Sequence, residues 1–122
     1  MSRACLLVID DNAINLDLVS YLLNASGFDV VSADDGAKGM AALEAHARID
    51  AILCDIQMPV MDGFEFARRA KGDARWAAVP LVAITALAMV GDKERIMAAG
   101  FDAYLPKPIE PASFIAAVLA AV

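Results

Sequence analysis

The chain has little that would carry it into a membrane or along a nucleic acid. Its longest uninterrupted apolar run, Phe114 to Val122, is nine residues, less than half of the ~20 that a membrane-spanning helix needs. No secretory signal develops either, because Arg3 is followed by only six apolar residues, Ala4 to Ile9, before Asp10 and Asp11 close the run. Positive charge is scarce: 10 Lys and Arg stand against 16 Asp and Glu, a net charge of −6, which repels phosphate backbones and anionic lipid alike. The chain is therefore expected in the cytoplasm, with no direct contact to nucleic acid or membrane. Cysteine is sparse too. Cys5 and Cys54 allow one bridge, but the strands assigned below put them towards opposite ends of a sheet, so both are expected as reduced thiols packed like small apolar side chains.

What remains is one domain's worth of polypeptide, 122 residues that are 60% apolar, 26 of them alanine. Three short apolar runs end in polar residues: Ala4 to Ile9 before Asp10, Ala51 to Cys54 before Asp55, and Leu81 to Ile84 before Thr85. Continuous runs of this length suit strands buried on both faces. Two further strands are expected at Phe28 to Ser32 and Phe101 to Leu105, each after a glycine, Gly27 and Gly100, placed where a helix C-cap falls.

Between the strands the apolar period becomes helical. Ile14, Leu18 and Leu22 recur every four residues, and Met40, Leu43 and Ala47 at three and four. Asp62 and Asp92 are expected as N-caps, as is Glu110 before Pro111 at a first helical position. The last helix is expected to turn Phe114, Ile115, Val118 and Leu119 inward. Five strands alternating with five helices predict an α/β fold with a doubly wound, mostly parallel sheet. In such a sheet the working site lies beyond the carboxyl ends of the strands.

Those ends carry Asp10 and Asp11 from the first strand, Asp55 from the third, Thr85 from the fourth and Lys107 just after the fifth. Three converging carboxylates repel one another unless a cation is present, so the cluster predicts a hard divalent metal. Mg²⁺, or Mn²⁺, fits, because it needs only one or two protein carboxylates and bridges to phosphoryl oxygens. An Asp beside such a metal and a Lys can attack phosphorus and form an acyl phosphate. Each of these residues alone is an ordinary strand-end group; their joint occurrence on one sheet edge is not.

The stretches Val8-Ile9-Asp10-Asp11-Asn12, Asp55-Ile56-Gln57-Met58-Pro59-Val60-Met61-Asp62-Gly63, Ile84-Thr85-Ala86, and Ala99-Gly100 through Tyr104-Leu105-Pro106-Lys107-Pro108 resemble, as a set, the receiver domain of two-component response regulators, the CheY-like family. The resemblance covers residues 1–122 as a single receiver domain. It implies a flavodoxin-like (βα)5 fold with strand order 2-1-3-4-5. Asp55 is then the phosphoacceptor, Asp11 and the Gln57 backbone carbonyl bind the metal with Asp55, and Asp10 acts largely through water. By the same resemblance Thr85 and Lys107 contact the phosphoryl group, Lys107-Pro108 is a cis bond, and Ala86 leaves room for the phosphoryl oxygens. Thr85 and the aromatic Tyr104 form the switch, Tyr104 turning inward as Thr85 shifts; a plain edge-strand aromatic is the competing reading of Tyr104. Leu87, two residues past Thr85 as Gln57 is past Asp55, is expected to shield the acyl phosphate and slow its loss.

The implied partners are a histidine kinase or a histidine phosphotransfer protein, docking around Ile14, Asn15, Leu18, Pro108 and Ile109, and a downstream protein target. Thr85 to Met89 with Gly91-Asp92 and Glu94-Arg95 resembles both DivK-like single-domain regulators and receivers of hybrid histidine kinases. The chain ends soon after its last expected helix and starts with Met1 just before its first strand, so a stand-alone protein with output through protein contacts is expected. The rival from the enzymes is a small Mg²⁺-dependent phosphohydrolase with an aspartyl nucleophile. Enzymes of the haloacid dehalogenase type carry a second Asp two residues after the nucleophile, where this chain has Gln57. A flavodoxin-like electron carrier would want a Ser, Thr and Gly-rich loop where Asp10-Asp11-Asn12 stands. His46 is expected as a surface residue, Trp76 as a packing residue and possible fluorescence reporter, and Met58 and Met61 as loop anchors.

Overall fold

A computed structural model describes residues 3–86 and 91–121. The elements alternate throughout: β1 (Cys5–Ile9), α1 (Ala13–Ala25), β2 (Asp29–Ala33), α2 (Gly36–Ala45), β3 (Ala51–Asp55), α3 (Gly63–Lys71), β4 (Leu81–Thr85), α4 (Asp92–Ala98), β5 (Ala103–Pro106) and α5 (Pro111–Ala121). All four strand pairings are parallel, in the order β2-β1-β3-β4-β5. The strand order implied by the family resemblance is the one observed.

The three inner strands are covered on both faces, and side chains alternate between two cores. Leu7, Ile9, Ile52, Cys54, Leu81 and Ala83 face Leu43 of α2, Phe66 of α3 and Ile96 of α4. Leu6, Val8, Leu53, Val82, Ile84 and Leu105 face Val19 and Leu23 of α1 and Phe114 and Val118 of α5. The edge strand β2 shows only one fully buried side chain, Ala33, consistent with its single neighbour.

Several boundaries differ from the expectations, each for a physical reason. Asp55 and Thr85 are the last residues of β3 and β4 and not the first residues after them, because the ladder still pairs Asp55 with Ile84 and Thr85 with Pro106. β2 begins at Asp29 and β5 at Ala103. Phe28 is used instead to close α1: its N–H reaches the Leu23 carbonyl and that of Gly27 the Asn24 carbonyl, a Schellman turn that requires the φ of 96° at Gly27. Ile14 points to solvent, 80% exposed, and Val19 and Leu23 bury α1 instead. On α5 Leu119 is 56% exposed, while Phe114 and Val118 go inward as expected. Ala47 lies beyond the end of α2. Asp62 caps α3 through the Glu65 N–H at 2.9 Å, but α4 starts one residue earlier than expected, with Gly91 at its N-cap and Asp92 in the first turn, where the helix dipole favours a carboxylate.

Candidate functional site

Each site residue arrives through ordinary backbone needs. Beyond β1, the Asp10 N–H still pairs with the Ala33 carbonyl at 3.1 Å, which fixes the chain as it leaves the sheet. Asp10, 1% exposed, accepts the Asn12 N–H through Oδ1 at 2.9 Å, and Asn12 then caps α1 through the Asn15 N–H at 3.0 Å. The turn exposes Asp11 between two anchored neighbours.

Beyond β3, a Cβ at Gly63 would lie 2.7 Å from both the Asp55 carbonyl oxygen and the Ile56 Cα, so only glycine lets α3 close onto the strand end. The Gly63 N–H donates to the Ile56 carbonyl at 2.8 Å. Met58 and Met61 are buried anchors of the intervening loop, as expected, and Gln57 is exposed. At the tip Val60 adopts φ 68° and the Met61 N–H donates back to the Pro59 carbonyl at 2.8 Å, a γ-turn of the strained kind.

Lys107 is placed by the β4–β5 register. Its N–H donates to the Thr85 carbonyl at 2.8 Å, and its Nζ lies 3.1 Å from Asp55 Oδ1 and 3.6 Å from Asp10 Oδ2. The Lys107–Pro108 peptide is cis, as the resemblance implied. Asp10, Asp11 and Asp55 each offer an oxygen within 4.8 Å of the others. Asp10 Oδ2 is buried without a hydrogen bond, so an oxygen of this cluster is left facing one ammonium at ion-pair distance.

Three carboxylates against one ammonium leave the pocket anionic. Burial, and after it the charge of Asp10, push the Asp55 carboxyl up to about 6 against the opposing pull of Lys107. Burial drives the Cys54 thiol well above its usual range, with Asp55 and Asp10 adding to it; both cysteines are free. A hard divalent cation fits this donor set, which is all oxygen and holds an unsatisfied buried acceptor. A cavity of about 550 Å³ between Val60, Phe64 and Ala98 holds none of the three aspartates.

The structure brings together Asp10, Asp11, Asp55 and Lys107, with Thr85 buried at the adjoining strand end. Tyr104 stands opposite Ala83 in the ladder, 37% exposed. His46 is exposed, its Nδ1 2.9 Å from the Ala42 carbonyl. Trp76 packs beneath Arg75 ahead of β4, at the amino end of the sheet, which makes it a poor reporter for this site. Leu87 lies outside the described residues. Sequence reasoning gave Gly63 no role of its own; the signal was there, a glycine directly after a capping aspartate and eight residues past Asp55.

A parallel (βα)5 sheet whose strand ends gather three carboxylates, a hydroxyl and an ammonium defines a class, and the chain belongs to the response regulator receiver domain family, whose model matches residues 6–119. It is 38% identical over 109 residues to the polar-differentiation response regulator DivK of Brucella anthropi, covering 89% of this chain and 88% of that protein. Among solved structures it is similar to the chemotaxis response regulator CheY4 of Vibrio cholerae, with a TM-score of 0.93, 29% identity and coverage of 99% and 100% of the two chains. It is also similar to the receiver domain of the sensor histidine kinase PA1611 of Pseudomonas aeruginosa, which has a magnesium ion coordinated in its active site cleft. That match has a TM-score of 0.87, 31% identity and 98% coverage of both chains. The chain is thus a receiver domain of the two-component signalling type. Among the described residues no helix is long and apolar enough to cross a membrane.

Proposed function

We propose that Asp55 accepts a phosphoryl group from a phosphohistidine of a histidine kinase or histidine phosphotransfer protein in the cytoplasm, and that the resulting charge switches a protein-interaction surface. One Asp55 carboxylate oxygen attacks phosphorus; the P–N bond to the histidine breaks, and the imidazole nitrogen keeps that electron pair and takes a proton from water. No general base is needed, since the attacking carboxylate is ionised at neutral pH even with its raised pKa of about 6. Asp11, Asp55 and the Gln57 carbonyl would hold Mg²⁺ or Mn²⁺, with Asp10 beside them. When bound, the cation supplies positive charge to the phosphoryl oxygens. Lys107 adds a second positive charge to those oxygens, and Thr85 a hydroxyl donor.

The observation that carries this reading is the Lys107 Nζ 3.1 Å from Asp55 Oδ1 within a three-carboxylate cluster. Thr85 and Tyr104 form the switch: a dianion at Asp55 draws the Thr85 hydroxyl towards it and frees space for the half-exposed Tyr104 ring. The phosphate donor docks beside the mouth of the site, where Ile14 offers an apolar side chain 80% exposed, together with Asn15, Leu18, Pro108 and Ile109. No catalytic turnover of an external substrate belongs to this scheme; its only chemistry is gain and loss of phosphate at Asp55.

Incubation with Mg²⁺ and acetyl phosphate, followed by intact mass measurement, tests it. The expected gain is about 80 Da, one phosphoryl group, absent in Asp55→Asn and absent when chelator replaces Mg²⁺. A gain that persists in Asp55→Asn would move the acceptor elsewhere.

A further inference from the structure

We propose that the cavity beside Trp76, at the amino end of the sheet, binds a small organic acid with a ring-sized apolar body, and that Arg48 is the counter-charge to its carboxylate. The cavity holds about 390 Å³, within the range of roughly 300–1,000 Å³ that small-molecule sites occupy. Its apolar walls are Leu43 of α2, Ile49 of the turn before β3, and Trp76 and Val79 of the turn before β4. It opens at the opposite end of the strands from Asp10, Asp55 and Lys107, so it is no part of the carboxylate cluster.

The titratable groups of the lining decide the charge of the ligand. Two arginines, Arg48 and Arg75, stand against one carboxylate, Glu44, so the lining is one positive charge ahead on a chain of net charge −6. Both oxygens of Glu44 are already taken, accepting Arg75 Nη1 at 2.9 Å and Nη2 at 2.8 Å. His46 gives its Nδ1–H to the Ala42 carbonyl at 2.9 Å. Arg48 donates its Nε–H to Asp50 at 2.9 Å, with its side chain still 54% exposed, and Asp50 does not line the cavity. The Trp76 indole N–H, hydrogen-bonded to no described residue, is a second donor in the lining. A carboxylate suits both donors, whereas an ammonium satisfies neither and meets the charge of the arginines.

The walls are set before a ligand arrives. Arg75 holds its guanidinium 4.1 Å from the centre of the Trp76 ring while bonding Glu44 on α2 and Asp73 in its own turn. One side chain thus joins the end of α2 to the turn before β4, the two sides of the cavity, and covers one face of the indole. Binding then has little ordering cost left to meet. The site is independent of the phosphoacceptor reading.

Trp76 is the only tryptophan of the chain, so intrinsic fluorescence of the full protein reads this cavity directly. The probes are phenylacetate and phenylacetamide, which share a shape and differ in charge, with sodium chloride matching the ionic strength. A saturable change in Trp76 emission is expected with phenylacetate, at a dissociation constant in the millimolar range for so small a probe. The amide is expected to bind about fivefold more weakly, the worth of one half-exposed charge pair. Arg48→Gln is expected to remove that preference and Arg48→Lys to keep it. Ala47→Phe, at an exposed position of the lining, is expected to weaken both probes about tenfold, with melting curves of each variant showing that it is folded at the assay temperature. No saturable change, or the same change with sodium chloride alone, would overturn the site. A saturable response that survives Ala47→Phe undiminished would place the binding elsewhere and overturn it too. Equal affinity for acid and amide, or a preference for the acid that persists in Arg48→Gln, would overturn the class of ligand and the part given to Arg48.

Discussion

Asp55 shares a buried pocket with two other carboxylates and one ammonium, and its stability consequences follow from the sign of its shift. An unfolded Asp titrates near 3.9, the folded one near 6, so the folded chain binds this proton more tightly. Metal-free protein therefore loses stability as pH rises from about 4 to 6, as the charge is forced onto the crowded site, and stays at the lower level above. Asp55→Asn keeps the shape and removes the charge. In chelator at pH 7.5 its melting temperature is expected to exceed that of the parent by about 5 °C, the gap closing as pH falls to 4; a pH-independent gap would refute the electrostatic origin. A second residue-scale strain sits at Val60, a β-branched residue at φ 68° whose side chain is 98% exposed and so repays nothing by packing. Val60→Gly is expected to stabilise the chain by roughly 0.5–1 kcal/mol in urea unfolding.

At the scale of the elements, the amino end of the sheet is closed by side chains as much as by the ladder. Asp50 accepts the Cys5 N–H at 2.7 Å and the Arg48 Nε–H at 2.9 Å, while its own N–H reaches the Cys5 carbonyl at 2.7 Å. The Cys5 hydrogen bond, with Arg48 behind it, holds the Asp50 carboxyl below its usual range. Its contribution is thus present above about pH 4 and lost as acid protonates it. Asp50→Ala is expected to cost about 1–2 kcal/mol at pH 7, with the loss fading in unfolding curves taken progressively below pH 4. Much of this scale was legible in the amino-acid order. Leu6 to Ile9, Ile52 to Cys54 and Leu81 to Ile84 announce two-sided burial because every position is apolar. The helix faces were not: spacing by four places Ile14, Leu18 and Leu22 on one stripe, but which stripe meets the sheet depends on where the strands lie. Val19 and Leu23 won on α1, and Leu119 lost on α5. Asp92 misled because Gly91, with φ 95°, turns the chain into α4 without a side-chain cap.

For the whole molecule, the parallel sheet is what turns five scattered residues into one site. Their positions were readable because each stands at a strand end; their distances were not, since the reach of Lys107 to Asp55 depends on Thr85 pairing with Pro106, a register no local pattern encodes. Gathering the carboxylates costs the fold stability that a bound cation would return. Adding 10 mM Mg²⁺ to metal-free protein is expected to raise its stability by roughly 1–3 kcal/mol through selective binding to the folded state, measured by thermal melts. Asp11→Asn, which removes an exposed carboxylate of the cluster without touching the core, is expected to abolish most of that gain.

The far end of the molecule is built for the opposite purpose. Lys71 donates to the carbonyls of Ala77 and Val79 and to Asp102, at 2.8–3.1 Å, while Arg75 joins Glu44 and Asp73. These links tie together the turns on that side, about one strand length, roughly 16 Å, below the carboxylates. Dyes or surface tethers attached at the exposed Ala74 or Ala78 would thus sit at the opposite end of the sheet from the carboxylates, giving a handle for single-molecule or biosensor work expected to leave the chemistry at Asp55 undisturbed.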